Sequence, residues 1–227
     1  MNEILKKIAD AKHIEIVVDS EKLFGASALY THILTLHKKV SLVCKSDDIE
    51  YKYSFLPWFE KIKKSDTPSA DLSIKLEISG ENLYDYFEQN SIKINKKMAT
   101  ALYGALLDES EGFRNDIIGT LFFEKISSLI KCGADYKMCQ KFIVEFNSLA
   151  LLRLKAKMLE DMIIVNSAKN AILFVSDERL KATGANLKDA KRIMKEPFSL
   201  PYIESSILLD SEMENEVLMI LNKEKKF

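Results

Sequence analysis

Two compact apolar runs near the start of the chain constrain its fold more than any other feature. Residues 14–18 and 40–44 are rich in Ile, Val and Leu, and each is short enough to be a buried strand. Residues 20–36, between them, carry apolar side chains at helical spacing, and a further helical pattern covers residues 4–11. Helix, strand, helix and strand in this order predict an α/β fold with a parallel sheet, whose strand ends face a ligand crevice.

The remaining pattern predicts a second, smaller domain. A strand is predicted within residues 70–78, and helices follow it as far as residue 146. Four short strands are predicted after that, at residues 162–165, 171–175, 202–209 and 216–221. We therefore predict an α/β domain with flanking helices over residues 1–147, a connecting helix over residues 148–160 and an α+β domain over residues 161–227.

Composition narrows the class of protein. Thirty-three basic and thirty-four acidic residues leave a formal charge of −1, so the overall charge does not indicate a nucleic-acid or membrane partner. Cys44, Cys132 and Cys139 form no disulfide framework and are expected to be reduced thiols. No stretch has the unbroken apolar character of a signal peptide or a membrane span. A cytoplasmic protein is the expectation.

A helical run that stops at an acidic loop is the clearest candidate site. Apolar residues recur at helical spacing through residues 99–107, and Asp108 falls where the helix must end. The small residues Ala99, Gly104 and Ala105 would let a neighbouring element approach closely. The pattern places a carboxylate at the edge of a packed helix.

This stretch resembles the fourth motif of the DHH phosphoesterase family, Ala-Thr-x-Leu-Tyr-x-Gly-Ile-x-x-Asp-Thr-x-x-Phe-Arg. The matching residues are Ala99, Thr100, Leu102, Tyr103, Gly104, Asp108, Gly112, Phe113 and Arg114. The resemblance implies that Asp108 is a ligand of a two-manganese centre. Arg114 is expected at the mouth of the cleft, where it could hold a phosphate, and Glu109 stands where the family has threonine.

Two other family motifs are present in altered form. Residues 70–77 resemble Ala-Asp-Leu-x-Ile-x-Leu-Asp, with Glu77 in place of the ligand aspartate. The first strand of the family ends in His-x-x-Pro-Asp-x-Asp-Ala-x-Gly-Ser. Here the loop is shorter, the histidine is absent, and Lys22 falls where the family has an aspartate. Only Asp19 remains as a ligand there, and a helix N-cap is its alternative role.

Further family elements are missing. The Asp-His-His motif that names the family is absent, because residues 91–98 lead directly into the helix of the fourth motif. The last 70 or so residues resemble the first half of the family's second domain, and the Ser-Leu-Arg-Ser and Gly-Gly-Gly-His motifs of that domain do not occur. The basic cluster after Asn222 is interpreted as a solvated tail.

The candidate metal ligands are therefore Asp19, Glu77 and Asp108, Arg114 is the candidate substrate-binding residue, and no catalytic residue is assigned. His13, His32 and His37 match no ligand position and are expected in the core or on the surface.

Three hypotheses remain open at this point. The first is a catalytically degenerate DHH homologue without a cofactor, a scaffold that binds a partner protein, a nucleotide or a short nucleic acid, with homodimer formation expected. The second is an active phosphoesterase that acts on short oligonucleotides or nucleotide phosphates with Mn²⁺ or Mg²⁺. The third is a helical assembly protein with an accidental likeness, and it predicts that no parallel sheet is present.

Overall fold

The computed structural model describes residues 7–47, 49–115, 118–212 and 216–223. The chain divides into two compact units, Met1–Phe146 and Asn147–Phe227. Each unit has a four-stranded sheet in its described residues and a hydrophobic core of its own. Three predicted features lie partly outside the described residues. They are the start of the first helix, residue 117 in the helical region predicted up to residue 146, and the end of the basic tail.

The sheet of the first unit is entirely parallel. It consists of β1 (His13–Val17), β2 (Lys39–Val43), β3 (Ile62–Lys63) and β4 (Leu72–Lys75), in the order β3-β2-β1-β4. The predicted α/β fold is thereby confirmed. The hypothesis of a helical assembly protein is wrong, because it required that no parallel sheet be present.

Residues 7–10 are α-helical, and five further α-helices lie in the described part of the first unit. They are α1 (Leu23–Thr35), α2 (Gly80–Gln89), α3 (Lys96–Glu109), α4 (Thr120–Lys131) and α5 (Tyr136–Cys139), the last continued by a π-helical turn at Gln140–Glu145. The side chains of Ser79 and Asn95 cap α2 and α3 by accepting hydrogen bonds from backbone N–H groups. Residues 90–95 connect α2 directly to α3, as the missing Asp-His-His motif predicts.

Helix α3 lies at the centre of the first unit. Every residue from Met98 to Leu107 is buried, so the helix is surrounded by protein on all sides. A Cβ atom at Gly104 would lie 2.8 Å from the ring of Phe24, and one at Gly80 would lie 2.2 Å from the Cβ of Ala105. The predicted close approach of neighbouring elements is confirmed, and it requires glycine at both positions.

The two faces of the first sheet differ in chemistry. Ile14 and Ile16 of β1 point to one side and are fully buried in the hydrophobic core. His13 and Glu15 alternate with them and are also buried, together with Ser41 of the neighbouring strand. One face of the sheet is therefore apolar and the other is polar.

Hydrogen bonds to the segment before β4 satisfy the polar face. The two ring nitrogens of His13 contact Ser41 Oγ and the carbonyl oxygen of Ser69, each at 3.0 Å. The Glu15 carboxylate accepts hydrogen bonds from the backbone N–H of Thr67 and from Ser73 Oγ. Buried polar groups are tolerated here because each has a partner.

The second unit is built around a mixed sheet. Its helices are α6 (Leu149–Glu160), α7 (Asp177–Thr183) and α8 (Leu187–Ile193), and its strands are β5 (Ile163–Val165), β6 (Asn170–Val175), β7 (Ser205–Asp210) and β8 (Glu216–Asn222). The order is β5-β6-β7-β8; the central pair is parallel and both outer pairs are antiparallel. The sequence analysis assigns α6 to a connector, but Leu151, Leu154 and Met158 of this helix lie in the second core.

In the described part of the second unit, helices cover one face of the sheet. Leu173, Val175 and Leu208 on that face pack in the core with α6 and α8. On the opposite face, one residue from each strand stands in register across the sheet, which gives an isoleucine row: Ile163, Ile172, Ile207 and Ile220. Its outer members, Ile163 and Ile220, are 48% and 55% exposed.

No helix in the described part of the chain combines the length and the apolar character that crossing a membrane requires.

Candidate functional site

A small depression lies at the carboxyl end of the first sheet, where the parallel strands lead into helices. It is lined by Glu21, Lys22, Phe24, Gly25, Ile78, Gly80, Ala105, Asp108 and Glu109. Its volume is about 10 Å³, which leaves room for about one water molecule. Pockets that hold small-molecule ligands measure roughly 300 Å³ or more.

Asp108 is held by a lysine from another part of the fold. The Nζ atom of Lys52 donates to both carboxylate oxygens of Asp108, at 2.9 Å each. The same ammonium lies 3.7 Å from a carboxylate oxygen of Glu50. About a quarter of each of the Lys52 and Asp108 side chains is exposed, so the pair is screened only in part by solvent. Both oxygens that could bind a metal ion face an ammonium group.

Glu77 is exposed to solvent and does not line the depression. Its carboxylate pairs with Lys75 at 2.6 Å, and about two thirds of each side chain is exposed. The hydrogen bond from Lys75 and the positive charge of this lysine lower the pKa of Glu77. Such a pair at the surface contributes little to stability.

Asp19 follows β1 and is exposed, with its backbone carbonyl accepting the N–H of Lys22. It occupies the N-cap position of the short 3₁₀ turn Ser20–Lys22, yet its side chain makes no capping hydrogen bond. The negative charge of Asp19 is one of the influences that raise the pKa of Lys75, after the hydrogen bond and the charge from Glu77. Lys75 thus forms an ion pair with Glu77, and Asp19 acts on this lysine only through its charge.

Lys22 and Glu109 form a second lysine–carboxylate contact beside Asp108. One Glu109 oxygen accepts the backbone N–H of Gly80 at 2.8 Å and lies 3.9 Å from Lys22 Nζ. Both positions differ from the DHH motifs: Lys22 stands where the motif has aspartate, and Glu109 stands where it has threonine. The two departures from the motifs lie next to each other in the structure.

Arg114 does not line the depression. It is exposed in the loop after α3, and its Nε donates to the carbonyl oxygen of Glu111 at 2.8 Å. The loop places Glu111, Gly112 and Phe113 at positive φ, and this left-handed backbone turns the chain away from the end of the helix.

The predicted metal ligands are not brought together. Among the residues that the structure describes, no group of three His, Cys, Asp or Glu side chains is arranged to hold a metal ion. The donor set present at the depression does not fit a two-metal centre, because Asp108 is the one predicted ligand that lines it and both of its oxygens accept from Lys52. The histidines lie elsewhere: His13 and His32 are buried, and His37 is exposed.

Tyr53 and Lys52 are features of this region that the sequence analysis did not single out. Tyr53 is 1% exposed, its ring packs against Phe24, and its hydroxyl has no hydrogen-bond partner in the part of the chain that the structure describes. Burial raises its pKa, and the charges of Asp108 and Glu50 raise it further. Lys52 stands 56 residues before Asp108, so no local spacing pairs the two.

Comparison with known proteins gives a fold. A scan of family models and a search of curated proteins found no match. Among solved structures, an exopolyphosphatase-related protein from Bacteroides fragilis matches with a TM-score of 0.73 at 16% identity, over 96% of this chain and 80% of that one. A candidate family II inorganic pyrophosphatase from Methanococcus jannaschii aligns over 92% of this chain and 87% of that one, at 10% identity, but its TM-score of 0.35 is too low to indicate a shared fold. The chain has the fold of the exopolyphosphatase-related protein.

Proposed function

We propose that this chain is a DHH-type phosphoesterase homologue that has lost its metal centre and acts as a binding scaffold. The fold that it shares with an exopolyphosphatase-related protein supports the first half of the proposal, together with the motif at residues 99–114. The position of Lys52 supports the second half. Its ammonium contacts both oxygens of Asp108, the carboxylate that best matches a family ligand.

An active metal-dependent phosphoesterase is the alternative. Hydrolysis by two metal ions needs carboxylates that converge on ions about 3.5 to 4 Å apart. Glu77 is directed into solvent with Lys75, and Asp108 faces Lys52. This arrangement supports a scaffold over a hydrolase.

Manganese titration by calorimetry, paired with a cleavage assay on a dinucleotide, tests the proposal. We expect no saturable binding of Mn²⁺ and no turnover. Asp108→Asn keeps the shape of the side chain and removes its charge, so it is the matched variant. Micromolar binding of Mn²⁺ with turnover that is lost in Asp108→Asn would establish the hydrolase in place of the scaffold.

A protein partner fits the structure better than a nucleotide does. The depression holds about one water molecule, and its lining carries three carboxylates against one lysine, which disfavours a phosphate group. The isoleucine row of the second unit is uncharged across four strands, so it matches a surface that is equally apolar. We propose that a second copy of the chain supplies that surface, because a two-fold interface uses the same patch on both copies.

Sedimentation of the wild-type protein and two variants tests this homodimer. Ile220→Lys places a charge in the isoleucine row at a side chain that is already 55% exposed, so the monomer should still fold. Leu121→Lys is the control, since Leu121 is an exposed apolar residue of α4 in the first unit. We expect the wild type and Leu121→Lys to be dimers and Ile220→Lys to be a monomer. A monomeric wild type, or equal association of all three, contradicts the proposal.

A further inference from the structure

We propose that Glu50, Tyr53 and Asp108 form a cation site whose occupant is the chain's own Lys52 ammonium, which replaces a metal ion. The inference rests on the proposed loss of the metal centre and names what took its place. Lys52 Nζ lies 2.9 Å from each oxygen of Asp108 and 3.7 Å from Glu50. Two carboxylates thus face one ammonium, as they would face a bound cation.

The buried hydroxyl of Tyr53 is a second, independent sign of a site. The Tyr53 side chain is 99% buried and its hydroxyl has no hydrogen-bond partner among the described residues, although burying an unpaired polar group is unfavourable. Lys52 Nζ lies 5.1 Å from the centre of the same ring, on its face. The ring of this tyrosine therefore packs against the ammonium that the two carboxylates face.

The contact joins parts of the fold that are remote in sequence. Lys52 belongs to the 3₁₀ turn Tyr51–Tyr53 between β2 and β3, and Asp108 lies in the last turn of α3. A metal ion would hold such segments together only while it is bound, whereas a lysine is always present. The fold should therefore be indifferent to divalent ions.

Two substitutions of Lys52 separate a cation site from an ordinary ion pair. Lys52→Ala removes the ammonium and leaves space for a hydrated ion, and Lys52→Met removes the charge but fills most of the space. Lys75→Ala breaks the exposed pair with Glu77 and is the control. Thermal unfolding of each protein is measured in EDTA and in excess Mn²⁺.

The expected pattern has three parts. The Tm of the wild type is the same in EDTA and in Mn²⁺. Both Lys52 variants unfold about 3 °C or more below Lys75→Ala in EDTA, because Asp108 is left without its partner. Mn²⁺ raises the Tm of Lys52→Ala by a similar amount and raises that of Lys52→Met much less.

Two results would overturn the inference. Stabilisation of the wild type by Mn²⁺ would mean that a metal ion still binds with Lys52 in place. A Lys52→Ala protein that Mn²⁺ does not stabilise would mean that the contact is an ordinary ion pair. If Lys52→Ala does not fold in EDTA, its refolding yield with and without Mn²⁺ gives the same comparison. A Lys52→Ala protein that Mn²⁺ does not stabilise leaves the proposed function intact, whereas stabilisation of the wild type by Mn²⁺ contradicts both proposals, so the two failures are distinguishable.

Discussion

The two sheets of this protein differ in how one face of each sheet is covered. In the first unit, the face of the sheet that carries His13, Glu15 and Ser41 is polar, and hydrogen bonds to the chain itself satisfy it. In the second unit, the face opposite the helices carries the isoleucine row and remains open at its edges. The first sheet completes its contacts within the chain. The second offers apolar surface that a partner would bury, and this difference is the reason for proposing that copies of the chain associate through the second unit.

Substitutions at two adjacent residues of β7 should have the largest effect on stability, and they test the difference between the covered and the open face. Leu208 is fully buried on the covered face, and Ile207 lies on the open face. Leu208→Ala should lower the free energy of unfolding of the second unit by about 3 kcal/mol. Ile207→Ala should lower it by about 1 kcal/mol in the monomer.

The single tryptophan makes this measurable in the full chain. Trp58 belongs to the first unit, so its fluorescence reports on that unit, whereas circular dichroism reports on both. Urea unfolding of Leu208→Ala should shift the dichroism transition and leave the fluorescence transition unchanged. Equal losses for Leu208→Ala and Ile207→Ala would mean that the second face is not open.

A medium effect is expected on the polar face of the first sheet. Glu15→Leu removes the acceptor for the Thr67 N–H and the Ser73 hydroxyl, and should lower the free energy of unfolding by about 2 kcal/mol. Glu15→Gln keeps an acceptor oxygen and should lose less. Urea unfolding followed by Trp58 fluorescence measures both. A Glu15→Leu protein as stable as the wild type would show that this face behaves like the open face of the second sheet.

The smallest effect should be a loss of stability at acid pH. All three histidines lie in the first unit, and burial lowers the pKa of His32, which packs against Phe87. Neutral His32 therefore stabilises the fold fully above its unfolded pKa of about 6.5, and this contribution is lost as the pH falls through the lower folded pKa.

The pH dependence is measured with Trp58 fluorescence and two matched variants. The urea midpoint of the first unit should decline below about pH 6.5. His32→Leu should weaken that decline. His37→Asn replaces an exposed histidine at positive φ and should leave the decline unchanged. An unchanged decline in His32→Leu would assign the acid sensitivity to other groups.

The elements with regular apolar patterns could be predicted from the sequence. β1, β2, α1 and α3 follow from apolar spacing alone, because each buries a continuous face. β3 was missed, since two residues in a polar segment give no periodic signal. At the end of the helical region predicted up to residue 146, the α-helix stops at Cys139, because the chain changes to a π-helical turn at Gln140.

The site was harder to predict than the fold. Motif matching placed Asp108 at the end of a helix and Glu77 just after a strand, as the structure has them, and their role as metal ligands stays a prediction. It could not show that Lys52 would contact Asp108, because an ion pair between remote segments depends on how loops fold over the sheet. Lys22 and Glu109 were visible as departures from the motif, but their proximity needed the structure.

The tight contact between Gly80 and Ala105 has a consequence for how the chain reaches this fold. Helices α2 and α3 are joined by only residues 90–95, so they can meet before any distant segment is in place, whereas Ile14 must find Leu72 to complete the sheet. We expect this helical hairpin to form first and to template the later strand pairing. Pulsed amide exchange during refolding would show early protection in α2 and α3, ahead of β1 and β4.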